Sequence, residues 1–204
     1  MIVSGRRDFL QRSLGAALGL ALPARGEAAG PVPGGVVDGR FFGLHMAWPV
    51  SEPFIQNAPP VPVGAWRAML PELHWFSLEP SKGAWHFDKL DIALRLMEKL
   101  GVDVLLTLGE TPAWASSRPD RKGPYRYGQL APPRDIGDWE RYVRAVATRY
   151  RGRIRCYELW NEPEVREVDG DRAYFSAGQL VELGQAAYRI IKEIDADALL
   201  TTPS

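Results

Sequence analysis

Short apolar runs alternate with longer amphipathic segments along the chain from residue 41 onward. Near-continuous apolar runs bounded by turn residues are typical of parallel strands that are covered on both faces. These runs predict five strands, which are Phe41–His45, Val63–Met69, Val102–Leu108, Ile154–Trp160 and Ala198–Thr202.

Three amphipathic helices are predicted between these strands. The first begins at Asp88 and ends at Gly101, where glycine provides the stop signal. The second uses Asp138 as its N-cap and ends near Gly152, and the third has its apolar face along Leu180–Ile194. Strands that alternate with helices of this length indicate parallel βα units.

This alternation fits an open doubly wound sheet or part of an eightfold barrel. No glycine-rich phosphate loop follows the first predicted strand, which removes the best sequence evidence for a nucleotide-binding sheet. Polar residues suited to chemistry follow several predicted strands, as in barrels whose strand-end loops build the active site. We therefore predict an α/β fold of the (β/α)8 TIM-barrel type, with residues 41–204 covering about the first five strands.

Composition excludes several classes of function. Lysine plus arginine balances aspartate plus glutamate at 25 each, so no global basic field is present to recruit nucleic acid. The single cysteine, Cys156, excludes an intrachain disulfide, and we expect it to be an inert core residue. The histidines His45, His74 and His86 show no metal-ligand spacing, so we expect neither a metal nor another cofactor.

The first 29 residues have the pattern of an export signal. Arg6 and Arg7 resemble a twin-arginine motif, Leu14–Leu22 is apolar but too short to span a bilayer, and Gly26–Ala28 offers a cleavage point. A Pro/Gly-rich linker, residues 30–40, follows. We predict a periplasmic or extracellular protein without a stable membrane span after cleavage, and an N-terminal anchor or a chance arginine pair is the alternative.

The hexapeptide Leu159–Glu164 carries the most chemical information. It places Asn161 and Glu162 side by side where the fourth predicted strand ends. This pair suits glycoside cleavage, because one side chain holds a sugar hydroxyl while the other gives a proton to the leaving oxygen. A solvated loop glutamate and a turn-forming asparagine before proline are the simpler interpretation.

Four segments carry a family resemblance, and they follow one another along the chain. They are Trp75–Gly83, the Leu90-Asp91 pair, Leu108–Ala115 and Tyr157–Pro163. From about Phe41 to Ser204 the sequence resembles the retaining β-glycosidases of glycoside hydrolase clan A, especially family 39-like and family 5-like secreted enzymes. This resemblance implies a secreted glycoside hydrolase that acts on an oligo- or polysaccharide.

The resemblance implies a role for each strand-end residue. Glu162 would be the general acid/base, and Asn161 would hydrogen-bond the sugar 2-hydroxyl. Trp114, in the loop after the third strand, would stack on a sugar face, and Trp160 would also contact the substrate. An aromatic residue in such a loop is equally often a lid or a core plug.

Two further residues complete the predicted substrate site. His45, at the end of the first strand, would bind a sugar hydroxyl, although a lone histidine is more often structural. Arg67, on the second strand, is a candidate to orient the second carboxylate. Glu158 would lie inside the barrel and need a partner such as an arginine, whereas Glu79 and Asp91 would fix the loop and helix after strand two.

The chain departs from the family pattern at the nucleophile. A retaining mechanism needs a second carboxylate about 5–5.5 Å from the acid, and clan A carries it at the end of strand seven. The predicted strands stop at five, so the nucleophile is unassigned. The remaining strands would come from a longer translation product, from a second, complementing chain or from a symmetric partner. The alternatives are a non-catalytic carbohydrate-binding protein, an inactive truncated glycosidase, or an inverting enzyme with Glu110 or Glu158 as base.

Overall fold

The computed structural model describes residues 42–45, 63–163 and 174–204. Its strands are β1 (Gly43–His45), β2 (Ala65–Ala68), β3 (Asp103–Leu108), β4 (Cys156–Leu159) and β5 (Leu199–Thr201). Its helices are α1 (Trp75–Leu78), α2 (Asp88–Leu100), α3 (Ile136–Arg149) and α4 (Ala177–Ile194), and a 3-10 turn (Pro71–Leu73) precedes α1. The predicted signal peptide (1–29) and linker (30–40) lie outside the described residues and stay predictions.

The five described strands form one parallel sheet in the order β1-β2-β3-β4-β5. Each strand lies inside the range predicted for it, so the strand predictions are confirmed. In the register of the sheet, Arg67 lies between His45 and Leu105, and Glu158 lies between Thr107 and Thr201. Because all five strands are parallel, their carboxyl ends meet at one edge, where barrel enzymes place their chemistry.

The helices cover this sheet with the apolar stripes that the sequence predicted. Helix α2 begins at Asp88, and Gly101 ends it in a left-handed conformation, with a φ of 66° that costs glycine little. Helix α4 begins with a capping box between Ser176 and Gln179. Among the described residues, no helix is both long enough and apolar enough to cross a bilayer.

The predicted N-cap of α3 was wrong. Asp135, rather than Asp138, has the extended backbone of a cap, and its carboxylate accepts a hydrogen bond of 2.9 Å from the Gly137 amide. The side chain of Asp138 lies one turn further on and pairs with Lys82 at 2.7 Å. Both aspartates are good cap residues, and only the backbone conformation decides between them.

The core between sheet and helices is rich in aromatic side chains. Trp75, on the single-turn helix α1, is fully buried and stacks on Tyr142 with the ring centroids 4.7 Å apart. Glu79 ends this turn at 0% exposure, where it accepts hydrogen bonds from the Trp75 indole, at 2.9 Å, and from the Gly83 amide, at 2.7 Å. The predicted role of Glu79 in fixing this loop is therefore confirmed.

Asp91 has the second predicted structural role. Its carboxylate accepts hydrogen bonds from the Arg149 guanidinium, at 2.6 Å, and from the Tyr150 hydroxyl, at 2.9 Å. The bond from Arg149 is the main cause of the lowered pKa of Asp91. These contacts tie α2 to the end of α3 and confirm that Asp91 fixes the helix after strand two.

Candidate active site

A cavity of about 850 Å³ lies at the carboxyl edge of the sheet. Residues that follow four successive strands contribute to its wall: Met69 after β2, Glu110 after β3, Asn161 and Glu162 after β4, and Ser204 after β5. The structure thus brings together Asn161 and Glu162, which the sequence singled out, with Glu110, which it treated as a weaker candidate.

Backbone strain is concentrated at this cavity. In the described part of the chain, the non-glycine residues with positive φ are Glu110 at 62°, Trp160 at 64° and Glu162 at 41°, and all three line the cavity. A non-glycine residue held in this region costs about 1–3 kcal/mol, and such residues cluster at functional sites. This distribution independently marks the cavity as the candidate functional site.

A close contact between two strand ends fixes the position of Trp160. Its backbone amide donates to the Leu108 carbonyl at 2.8 Å, and its indole is 1% exposed, edge-on to Phe175. Gly109 has a φ of 129°, and a Cβ atom added there would lie 2.6 Å from Cε3 of Trp160. Trp160 therefore forms a fixed part of the cavity wall, and its predicted contact with substrate stays a prediction.

Arg67 connects three strands beneath the cavity. Its guanidinium donates to Oε2 of Glu158 at 2.9 Å, to Oδ1 of Asn161 at 2.9 Å and to the Ser204 hydroxyl at 2.8 Å. Thr107 also donates to Glu158, at 2.6 Å. The expected arginine partner of Glu158 is thus confirmed, and the carboxylate that Arg67 orients in the described chain is Glu158.

This network also orients the Asn161 amide. Arginine has no acceptor atom, so the group that faces Arg67 must be the oxygen of Asn161, and its NH2 group is left to donate elsewhere. Asn161 is half-buried and lines the cavity, whereas the Glu162 side chain is exposed. The structure thus places an oriented amide donor next to an accessible carboxyl group in the cavity wall.

Glu110 is the buried carboxyl group of the cavity. It is 5% exposed, and Gln129 Nε2 donates to its Oε2. Burial raises the pKa of Glu110 to about 7, and the bond from Gln129 only partly opposes this shift. Sequence reasoning missed Gln129, because it lies in an irregular loop 19 residues after Glu110 and no motif marks it.

His74 is a second buried polar residue of the cavity wall. It is 3% exposed, and neither ring nitrogen has a hydrogen-bond partner within the described ranges. Burial, assisted by the positive charge of Arg67, lowers the pKa of His74 to about 4, so its imidazole is neutral at physiological pH. Sequence reasoning examined this residue only as a metal ligand and missed its place in the cavity.

The remaining predicted site residues lie apart from this group. Trp114 donates from its indole to the Glu79 carbonyl at 2.9 Å and packs edge-on against Trp75 in the core. His45 is exposed on β1, opposite Arg67 in the register. Their predicted sugar contacts stay predictions. Within the described ranges, no three His, Cys, Asp or Glu side chains are grouped as a metal site would require.

Solved structures whose fold is similar to that of this chain include glycoside hydrolases. A family 39 glycoside hydrolase from Bacteroides cellulosilyticus WH2 superposes with a TM-score of 0.56 at 19% identity, over 79% of this chain and 31% of that chain. Xylanase 10B from Thermotoga maritima superposes with a TM-score of 0.54 at 16% identity, over 79% of this chain and 48% of that chain. The chain has the fold of part of a TIM-barrel glycoside hydrolase.

A third structure extends the same likeness. The GH10 xylanase of Thermobacillus composti gives a TM-score of 0.51 at 22% identity, over 79% of this chain and 46% of that chain. The chain therefore spans between about a third and a half of the length of these enzymes. No family model and no curated protein sequence matches it. The resemblance to clan A glycoside hydrolases is confirmed at the level of the fold.

Proposed function

We propose that this protein is a secreted retaining glycoside hydrolase that acts on an oligo- or polysaccharide, with Glu162 as its general acid/base. The observation that carries the proposal is the oriented Asn161 beside Glu162 at the end of β4, in the wall of the strand-end cavity. The glycosidase fold of the structural neighbours supports the same reaction class, and their xylanase members support a carbohydrate substrate.

The reaction proceeds in two displacements at the anomeric carbon. In the first, Glu162 gives its proton to the glycosidic oxygen as a nucleophilic carboxylate attacks, so the leaving sugar departs as an alcohol. In the second, Glu162 takes a proton from water, and the resulting hydroxyl displaces the carboxylate. The accessible position of Glu162 suits both roles, because the same group must meet the leaving sugar and then the water.

Asn161 serves the same transition state. Its NH2 group donates to the hydroxyl next to the anomeric carbon, a contact that strengthens as positive charge develops on the sugar ring. Arg67 holds the amide in the required orientation through its 2.9 Å bond to Oδ1. The nucleophile would be a second carboxylate about 5–5.5 Å from Glu162. We assign none of the described residues to this role.

Export belongs to the same proposal. The protein is exported to the periplasm or the medium, where its polysaccharide substrate occurs. The signal for export consists of the twin-arginine pattern at Arg6 and Arg7 and the apolar Leu14–Leu22 segment. Twin-arginine export carries folded proteins, which suits a chain whose single cysteine forms no intrachain disulfide.

Release of reducing ends from xylan, β-glucan and mannan by the natural gene product tests this function. We expect wild-type protein to cleave one of these polymers and Glu162→Gln to lose at least about a thousandfold in kcat, because the amide gives no proton to the leaving oxygen. Glu98→Gln is the matched control, since Glu98 is an exposed α2 carboxylate paired with Arg153. Equal turnover by wild type and Glu162→Gln would contradict the assignment. Binding without turnover, unchanged in Glu162→Gln, would indicate a carbohydrate-binding protein instead.

A further inference from the structure

We propose that Glu110 and Gln129 form a second hydroxyl-binding position in the cavity, one that selects uncharged sugars. This inference rests on the proposed function, because it assumes that the cavity receives a saccharide. The acid/base mechanism makes no use of Glu110, although it is a buried carboxyl group at the end of β3 and lies in the same wall as Asn161 and Glu162.

The orientation of Gln129 is fixed by its own contacts. Its side-chain oxygen accepts from the backbone amides of Tyr125, at 2.7 Å, and Arg126, so its NH2 group must face Glu110. Gln129 is 1% exposed and cannot turn away without leaving those amides unpaired. Oε2 of Glu110 therefore accepts from Gln129, and the other oxygen of the carboxyl group can bind a ligand.

The backbone of Glu110 is held as firmly as its side chain. The amides of Trp75 and Phe76 donate to the carbonyls of Gly109, at 3.0 Å, and Glu110, at 3.1 Å. Glu110 also has the left-handed φ of 62° that sets it apart from an ordinary strand-end residue. A carboxyl group that is fixed at both ends loses little entropy when it binds a ligand.

The charge around Glu110 favours a neutral ligand. Burial holds the pKa of Glu110 near 7, and His74 in the same cavity wall is neutral above about pH 5 because its pKa is about 4. The other titratable groups of the described wall are Glu162, Tyr125 and Tyr174. Three guanidinium groups lie close to it: Arg67 donates to Glu158, Asn161 and Ser204, Arg121 lies over the Tyr174 ring, and Arg126 lies over the Phe76 ring. A uronate would therefore meet the carboxyl groups of Glu110 and Glu162, whereas the guanidinium groups close to the wall already contact protein groups.

Protonation decides what Glu110 offers to a sugar. Below its pKa the free oxygen carries a proton and donates to a hydroxyl or ring oxygen, while Oε2 still accepts from Gln129. A bound sugar displaces water and disfavours the ionised form further, so binding is coupled to proton uptake. Affinity is therefore constant well below pH 7 and falls as pH rises through the pKa of Glu110, which is about 7.

Calorimetric titration of the natural gene product with the thio-linked analogues of xylotetraose, cellotetraose and mannotetraose, which resist hydrolysis, tests this position, and tetragalacturonate serves as the acidic probe. At about pH 8.5 wild-type protein should bind its neutral probe about five- to thirtyfold more weakly than at about pH 5.5, since little neutral Glu110 then remains. Glu110→Gln, whose amide keeps a donor at every pH, should abolish this pH dependence. Glu110→Ala should weaken binding about five- to tenfold at the lower pH. Glu98→Gln should keep the wild-type profile.

The outcomes separate this inference from the function on which it rests. Binding that Asn161→Ala weakens, but that Glu110→Gln and Glu110→Ala leave unchanged at both pH values, overturns the Glu110 position alone. Tetragalacturonate binding as tight as that of the neutral probe at the higher pH overturns the selection of uncharged sugars. If no saccharide binds to wild-type protein, both proposals are wrong.

Discussion

Replacement of Arg67 by methionine tests the network that supports the candidate site. The change removes a cation while keeping a long apolar side chain, so it isolates the loss of charge and hydrogen bonds from the loss of volume. Glu158, whose side chain is 6% exposed, then retains only the hydroxyl of Thr107, at 2.6 Å, as a described partner. A buried carboxylate without its cation is one of the costliest defects that a folded protein can carry.

The burial of the ion pair determines how much Arg67→Met lowers the free energy of unfolding. Removing one partner of a buried ion pair costs about 3–5 kcal/mol, and a pair exposed on the surface is worth about 0–1 kcal/mol. Arg67 is 21% exposed, so solvent screens its pair with Glu158 in part. We therefore expect Arg67→Met to lower the free energy of unfolding by about 3 kcal/mol, a large part of the usual 5–15 kcal/mol.

Urea unfolding followed by tryptophan fluorescence measures this loss. The Arg67→Met/Glu158→Gln double variant should recover about 2 kcal/mol or more, because it removes the unpaired charge. Arg153→Met is the matched control, since Arg153 and Glu98 form an ion pair whose side chains are 34% and 48% exposed, and we expect a loss below about 1 kcal/mol. Additive losses of stability from Arg67→Met and Glu158→Gln would refute the reasoning, and so would equal losses from Arg67→Met and Arg153→Met.

Two further predictions concern the strand end and the N-terminus. Gly109→Ala should lower the free energy of unfolding by about 2–4 kcal/mol, because the added Cβ would lie 2.6 Å from the Trp160 ring and the φ of 129° suits only glycine. Urea unfolding measures this loss. A loss below about 1 kcal/mol would mean that the Trp160 ring moves freely. Replacing both Arg6 and Arg7 by lysine should retain the protein in the cytoplasm, as cell fractionation would measure, and unchanged export of that variant would contradict the twin-arginine assignment.

Much of the fold was predictable because it depends on local patterns. The apolar run Val102–Leu108 and the stripe of the Asp88–Gly101 segment each specify one element, and the structure contains both. The cap of α3 was not predictable, since Asp135 and Asp138 have equal chemical suitability and only the backbone path separates them. The single-turn helix at Trp75 is too short to show any periodicity.

The candidate site was predictable only where its residues are neighbours in sequence. Asn161 and Glu162 form a recognisable pair, and the partnership of Glu158 with an arginine followed from the cost of burying a charge. The Glu110–Gln129 pair was not predictable, because a loop of irregular structure determines which polar side chain faces the carboxyl group. The place of His74 in the cavity wall was not predictable for the same reason, since its burial arises from residues far apart in the chain.

The most direct test of the central claim is azide rescue of Glu162→Ala, using the dinitrophenyl glycoside of the sugar that wild-type protein cleaves. Dinitrophenolate departs without acid assistance, so the nucleophile still forms its ester with the anomeric carbon, and hydrolysis of that ester is slow without Glu162. Azide needs no general base to attack this carbon and release the carboxylate. We predict faster turnover with azide and a glycosyl azide of retained configuration, identified by proton NMR. An azide-independent rate, or a product of inverted configuration, would contradict Glu162 as the acid/base of a retaining glycosidase.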